Sequence, residues 1–223
     1  MVRIVLLLAG LLAASGARGQ APTAIYQVAV NAGPSWPLLS FAASNGGKGT
    51  ARPGQYLTVA GTYQPGALGG CVALTVSRYQ VDEAAALRQL DPAAPAPAAL
   101  SVTAPWTTLS LLAGPQFVLS PAQRLRLAFR PLLVGAIVVG APGYATGAVA
   151  AASRALAAAT AVEWAWQTGA VAHWQVHSRT ALQLEVTYAG ARPRLPVYGA
   201  GDVRQLINTL GLGAGVSIGL GGQ

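Results

Sequence analysis

Val162-Glu163-Trp164-Ala165-Trp166-Gln167-Thr168-Gly169-Ala170-Val171-Ala172-His173-Trp174-Gln175-Val176 is the stretch on which the fold turns. Read with a period of two, it sorts Trp164, Trp166, Ala170, Ala172, Trp174 and Val176 onto one face. Glu163, Gln167, Gly169, His173 and Gln175 fall on the other. Successive side chains of a strand point to opposite sides, so this alternation reads as β structure. Trp164 and Trp174 lie ten positions apart. At ~3.3 Å per residue and a tilt of ~40°, that separation is about 25 Å of height, the apolar band of a strand crossing a bilayer between two aromatic interfaces. Three tryptophans on one face would overfill a small soluble core.

The same alternation recurs along the chain. In Gln123 to Arg130, Leu125, Leu127 and Phe129 oppose Arg124, Arg126 and Arg130. In Thr180 to Tyr188, Leu182, Leu184, Val186 and Tyr188 oppose Gln183, Glu185 and Thr187. From Leu210 to Leu220, apolar residues alternate with Gly211, Gly213, Gly215, Ser217 and Gly219. Eight strands are predicted, at 23–33, 56–64, 70–80, 103–118, 123–138, 162–176, 180–189 and 207–220. Their connections alternate long and short, as in a meander with tight turns on one rim and long loops on the other. The fold expected is all-β: an eight-stranded antiparallel up-and-down transmembrane β-barrel.

In such a barrel the apolar face meets lipid and the other lines the lumen. Arg124, Arg126, Arg130, Glu163 and Glu185 are therefore expected inside, as a charge network. Trp164, Trp166, Trp174 and Tyr188 are expected outside, as an aromatic girdle. Eight strands leave an interior that side chains fill, so a plugged lumen is expected rather than an aqueous pore.

Composition agrees. Apolar residues make up 53% and charged residues 9% of the chain, against about 25% charged in average soluble domains. That apolar content excludes disorder, and the single Cys71 excludes a disulfide scaffold. Arg3, the apolar run Ile4 to Leu12 and Ala17-Arg18-Gly19 read as a secretory signal peptide over 1–19, with 20–223 as the barrel. Losing Arg3 and Arg18 takes the formal charge from +8 to 8 − 2 = +6. Leu132 to Val139 is too short and too interrupted for a spanning helix.

Several motifs carry a resemblance. They are Leu111-Leu112-Ala113-Gly114-Pro115-Gln116-Phe117, Ala165-Trp166-Gln167-Thr168-Gly169-Ala170, Leu184-Glu185-Val186-Thr187-Tyr188, and Ile207-Asn208-Thr209-Leu210-Gly211-Leu212-Gly213-Ala214-Gly215-Val216. In this order the chain resembles the small outer-membrane β-barrel proteins of Gram-negative bacteria, OmpA/OmpX-like and in particular Bacteroidetes-type, over about half its length. The resemblance implies residence in the cell outer membrane and a structural, adhesive or transport role without an agreed catalytic residue. Barrels of this kind commonly end in an aromatic residue; this sequence reads Leu220-Gly221-Gly222-Gln223.

The loops and the titratable residues complete the expectations. Val81 to Val102 reads as a solvated loop. Ala145 to Thr160 is Ala-rich and predicts a short helix. Gly190 to Arg204 carries Arg192, Arg194 and Arg204, which would favour lipid and lipopolysaccharide phosphates or an extracellular partner. The positive charge lacks a clustered stripe, which argues against nucleic acid. His173 should face the lumen, and His177-Ser178 a short turn; sequence neighbours do not form a nucleophile–base pair. No enzyme activity, metal or cofactor is expected, and the chain is expected to be a monomer. Three other readings remain open: a narrow porin or transport barrel, a soluble lipocalin-like barrel that binds an apolar ligand, and, last, a lipid-modifying enzyme using His173.

Overall fold

A computed structural model describes residues 25–42, 50–90, 100–121, 125–146, 155–156, 158–197 and 201–220. The expected signal peptide, Lys48, Asp91, Arg124 and Arg154 lie outside the described residues. Eight staves form the wall. They are β1 (Ile25–Leu38), β2 (Ala51–Gln64), β3 (Leu68–Val81), β4 (Trp106–Pro121), β5 in two segments (Leu125–Leu132 and Val134–Gly140), β6 (Thr160–His177), β7 (Thr180–Ala191) and β8 (Ile207–Gly219). Each pairs antiparallel with its sequence neighbour, and β8 returns to β1 through Val28↔Ile218 and Val30↔Val216. The ring is closed, so the wall has no free edge. Short turns join β2 to β3, β4 to β5 and β6 to β7, and the long connections gather at the opposite rim.

The orientation of the side chains is inside-out. Val28, Val30, Leu57, Val59, Val72, Leu74, Leu109, Leu111, Leu182, Leu184, Leu212 and Val216 are all exposed on the outer wall. Leu184 and Trp174 are 62% and 58% accessible, whereas Arg130 and Glu185 are 3% accessible. No helix among the described residues is long and apolar enough to cross a membrane, so a crossing would be made by strands.

Three features depart from the sequence expectations. The fifth strand is not continuous over 123–138. On β6, Gln167 faces Leu132 while Trp164 faces Ala136, so four steps of β5 span three of β6. The extra residue is a bulge: Leu132 is buried, but Leu133 and Val134 both point outward. This shift of phase carries Ile137 and Val139 into the interior. An uninterrupted strand would have placed them on the outer wall. The same bulge interrupts the β4–β5 ladder, whose pairs stop at Ala113↔Val134 and resume at Phe117↔Phe129. There the Pro131 carbonyl approaches β4 so closely that a Cβ on Gly114 would lie 2.1 Å from it. Only glycine fits that contact.

The second departure concerns the helix. Residues 147–154 of the Ala-rich stretch, where a helix was expected, lie outside the described residues. Among the described residues a helix forms at α1 (Glu83–Leu90), in the segment read as a loop. Asp82 caps it, its Oδ1 accepting the Ala85 N–H at 2.8 Å, and Glu83 occupies the first turn. Tyr144–Thr146 and Ala155–Leu156 instead pair with each other, and Tyr144–Thr146 also with Leu100–Val102, in a small rim sheet.

The third is an apolar cluster inside the long-loop end of the barrel. A 3-10 turn, Leu39–Phe41, swings Phe41 into the mouth. Its ring stands edge-on to Tyr79 and Trp106 at 5.3 Å from each. Leu112, Leu132, Ile137, Val139, Leu195 and Ile207 belong to the same cluster.

Candidate functional site

Below that cluster the lumen is polar, and the polar groups are chained together. Gln116 Nε2 donates to Gln64 Oε1 at 2.7 Å. Arg130 Nε donates to Gln116 Oε1 at 2.5 Å, and its Nη2 lies 3.5 Å from His173 Nε2. His173 Nδ1 meets Gln183 Nε2 at 3.0 Å. Asn31 Nδ2 donates to Gln183 Oε1 at 3.1 Å and to Glu185 Oε2 at 2.9 Å. Gln64 also donates to the Gly66 carbonyl, tying the chain to a short turn. Seven side chains from β1, β2, β4, β5, β6 and β7 thus form one belt across the barrel. All are almost completely buried, where an unmade hydrogen bond costs ~1–3 kcal/mol.

The belt corrects the expected network. Arg130 and Glu185 both belong to it, but neutral amides and an imidazole join them in place of a direct ion pair. The reason is topological: they stand on β5 and β7, with β6 between them. Arg126 is half-buried and faces His173 in register. Glu163 sits ten residues away from His173 along β6, at the opposite end, where its Oε1 accepts the Trp164 N–H at 3.2 Å. The ion pair recorded among the described residues is Arg52–Asp82 at 2.9 Å, on the long-loop rim. Alternation puts Gln183 on the inward face but not in the network, and attention to charge passes over the amides of Asn31, Gln64 and Gln116. Their inward parity was a usable signal.

Above the belt, Ser35, Thr58, Thr75, Ser77, Thr108 and Ser110 surround a cavity of about 40 Å³. The Thr58 and Thr75 hydroxyls share a hydrogen bond of 2.8 Å, and those of Ser35 and Tyr79 one of 2.9 Å. Tyr56 enters this level from β2 and fills the space left by the glycines of β8. A Cβ on Gly213 would lie 2.2 Å from Tyr56 Oη, and one on Gly211 2.9 Å from Tyr56 Cε1. A Cβ on Gly215 would lie 2.2 Å from Asn31 Oδ1. The alternating glycines are therefore a groove shaped for the phenol and the amide opposite. Tyr56 Oη has no hydrogen-bond partner among the described residues.

The aromatic residues frame the outer wall. Trp164 and Trp174 are exposed at its two ends. The Trp164 indole donates to the Leu133 carbonyl at 3.2 Å, closing off the bulge in β5 from outside. Trp166 and Tyr188 are partly buried and meet edge-to-face at 5.2 Å. Tyr26 and Tyr63, which the sequence reading did not single out, pair at 4.8 Å near the short turns, at the level of Trp174. At the long-loop rim, a cleft of about 690 Å³ opens where the β6–β8 wall meets the connection after β7. Trp164, Trp166, Tyr188 and Leu206 line it together with Arg192, Arg204 and Glu163.

No family model and no curated protein matches the sequence. Among solved structures, the chain is similar to a major outer membrane protein from Thermus thermophilus, with 11% identity over 89% of this chain and all of that one, at a TM-score of 0.53. It is also similar to Ail, the attachment invasion locus protein of Yersinia pestis (12% identity, 89% and 100% covered, TM-score 0.47), and to Neisserial surface protein A (16%, 88% and 98%, 0.44). At 11% identity the likeness to the Thermus thermophilus protein is one of fold alone, a closed antiparallel barrel. Nothing in it supports the narrower Bacteroidetes-type grouping.

Proposed function

We propose that this chain is an integral outer-membrane protein, exported by its N-terminal signal and held in lipid by its outer wall. Its role is structural or interactive rather than catalytic. The observation that carries this reading is the inversion of polarity: a wall of exposed Leu, Val and aromatic residues encloses a buried Arg, His, Glu and four amides. A soluble barrel would put the leucines on the axis. Closure of the ring supplies the other requirement of a bilayer, that backbone polar groups be met within the protein.

The interior supports a plugged scaffold over a pore. Phe41, Tyr79 and Trp106 fill one end, the polar belt crosses the other, and the cavity between them measures about 40 Å³. The rim segments, α1, the small sheet and the Arg-bearing connection after β7, are then where an extracellular partner or the phosphates of lipopolysaccharide would be met. Among the described residues none reads as a nucleophile beside a base, and His173 is engaged within the belt.

Three measurements test this. The protein should stay in the membrane fraction through carbonate washing, and should migrate differently unboiled and boiled on SDS gels. Extraction by carbonate or salt alone would support the soluble lipocalin-like alternative and refute the membrane reading. Insertions into planar bilayers should be electrically silent; steady single-channel steps would replace the scaffold with a narrow porin.

A further inference from the structure

We propose that the rim cleft between β6–β8 and the connection after β7 binds a membrane lipid through its phosphate, and so selects anionic lipid from the bilayer around the barrel. The inference rests on the membrane reading above and assigns it a site. Three observations meet in the cleft. Its floor belongs to the outer wall: Trp164, Trp166 and Tyr188 have the outward parity of the lipid-facing residues. Aromatic rings in this position sit at headgroup depth, so an occupant's acyl chains would run down the wall past them. Its volume, about 690 Å³, lies within the range of roughly 300–1,000 Å³ typical of small-ligand sites. Its charged lining is unbalanced, with Arg192 and Arg204 against Glu163.

The backbone concentrates that charge. Arg194 and Arg204 are register partners on the ribbon formed by Arg194–Val197 and Gly201–Arg204. Like charges directly opposite on a ribbon repel each other. Asp202 lies on the same ribbon, so the segment from Gly190 to Arg204 carries three arginines and one aspartate, 3 − 1 = +2. A phosphate seated between Arg192 and Arg204 gains charge-assisted hydrogen bonds from two guanidinium groups and offsets part of the positive charge that Arg194 adds opposite Arg204. A purely apolar occupant, or a second copy of this chain bringing the same arginines, would leave that charge in place.

The magnitude follows from the lining. A basic side chain near a membrane surface favours an anionic lipid by about 1 kcal/mol, or about fivefold. Two arginines offset by one carboxylate leave a net preference of about fivefold over a zwitterionic lipid. The assay is quenching of tryptophan fluorescence by brominated lipids, because two of the five tryptophans line the cleft. The protein is reconstituted in phosphatidylcholine vesicles that contain either brominated phosphatidic acid or brominated phosphatidylcholine. Brominated phosphatidic acid should compete about fivefold more effectively. R192Q/R204Q should abolish that preference, R192K/R204K should keep most of it, and E163Q should raise it severalfold. Equal competition by the two lipids in the wild-type protein, or a preference that survives R192Q/R204Q, would overturn the site while leaving the membrane barrel intact. Absence of quenching by either lipid would overturn the membrane reading as well.

Discussion

Gly213→Ala adds one methyl group to the inner face of β8, and the structure says where it goes: 2.2 Å from Tyr56 Oη, 2.9 Å from Tyr56 Cζ and 3.4 Å from the Ala32 carbonyl. The phenol is buried and cannot swing away, so the methyl must be absorbed by off-rotamer strain or a shift of the wall. Overpacking of this kind costs ~1–3 kcal/mol. The backbone works in the other direction, because replacing a glycine in a compatible conformation stabilises by ~0.4–1 kcal/mol. Gly61 measures that opposing effect alone, since a Cβ there points outward and meets nothing within 4 Å. G61A should therefore be neutral or slightly stabilising, and G213A destabilising by about 1–2 kcal/mol. Tyr56→Phe removes the atom nearest the new methyl together with a hydroxyl that has no hydrogen-bond partner among the described residues. Y56F should leave stability unchanged or improved, and G213A should cost about 1 kcal/mol less in the Y56F background than in the wild type. Urea titration of the protein folded in lipid vesicles, followed by tryptophan fluorescence and by the folded fraction on unboiled gels, gives all four corners of the cycle. If G213A costs the same with and without the Tyr56 hydroxyl, the groove and its occupant are not coupled and the account of the β8 glycines is wrong.

Leu184→Arg places a charge on the exposed outer wall. In a bilayer it should destabilise by ~2–4 kcal/mol, whereas on a soluble barrel the same exposed position would tolerate it; vesicle-folding yields and urea midpoints decide. Arg130→Met removes the cation of the belt and leaves Glu185 buried without it, which should cost about 3 kcal/mol. Adding Glu185→Gln should recover part of that loss in a double-mutant cycle, and strict additivity would deny the coupling. Phe41→Ala should cost ~3 kcal/mol, in the range for a buried aromatic ring, and should weaken the near-ultraviolet circular dichroism of Tyr79 and Trp106. An unchanged spectrum would mean that Phe41 does not pack against them.

Much of the wall was legible because the pleat has a period of two and the chain keeps it for long runs. β6, β7 and β8 could be read residue by residue, and Trp174, Leu184, Glu185 and Arg130 lie on the faces that alternation assigns. What alternation cannot show is an added residue. Nothing in Pro131-Leu132-Leu133-Val134 announces that two successive side chains turn outward, so Ile137 and Val139 arrive inside unannounced. Nor does it show partners several strands away: Tyr56 meets the β8 glycines only because the ring closes. The helix at Glu83–Leu90 was readable in principle from Asp82 and Glu83 as cap and first-turn residues; the Pro-Ala run after it masked the signal. For the candidate site, parity puts Arg130, His173, Gln183 and Glu185 on the inward face but does not show Asn31, Gln64 and Gln116 as the groups that complete the chain. Glu163 shares their face and not their height.

The misfit between β4 and β5 has a mechanical consequence. Gly114 to Gln116 and Arg130 to Leu133 pass each other without register partners, and each stretch includes a proline, whose nitrogen bears no hydrogen. A guanidinium-to-amide clasp spans this interval on the inner side, and an indole from the next stave covers it on the outer side. Under lateral tension the cylinder would begin to tear along this line, and its neighbouring amides should be the first of the wall to trade hydrogen for deuterium.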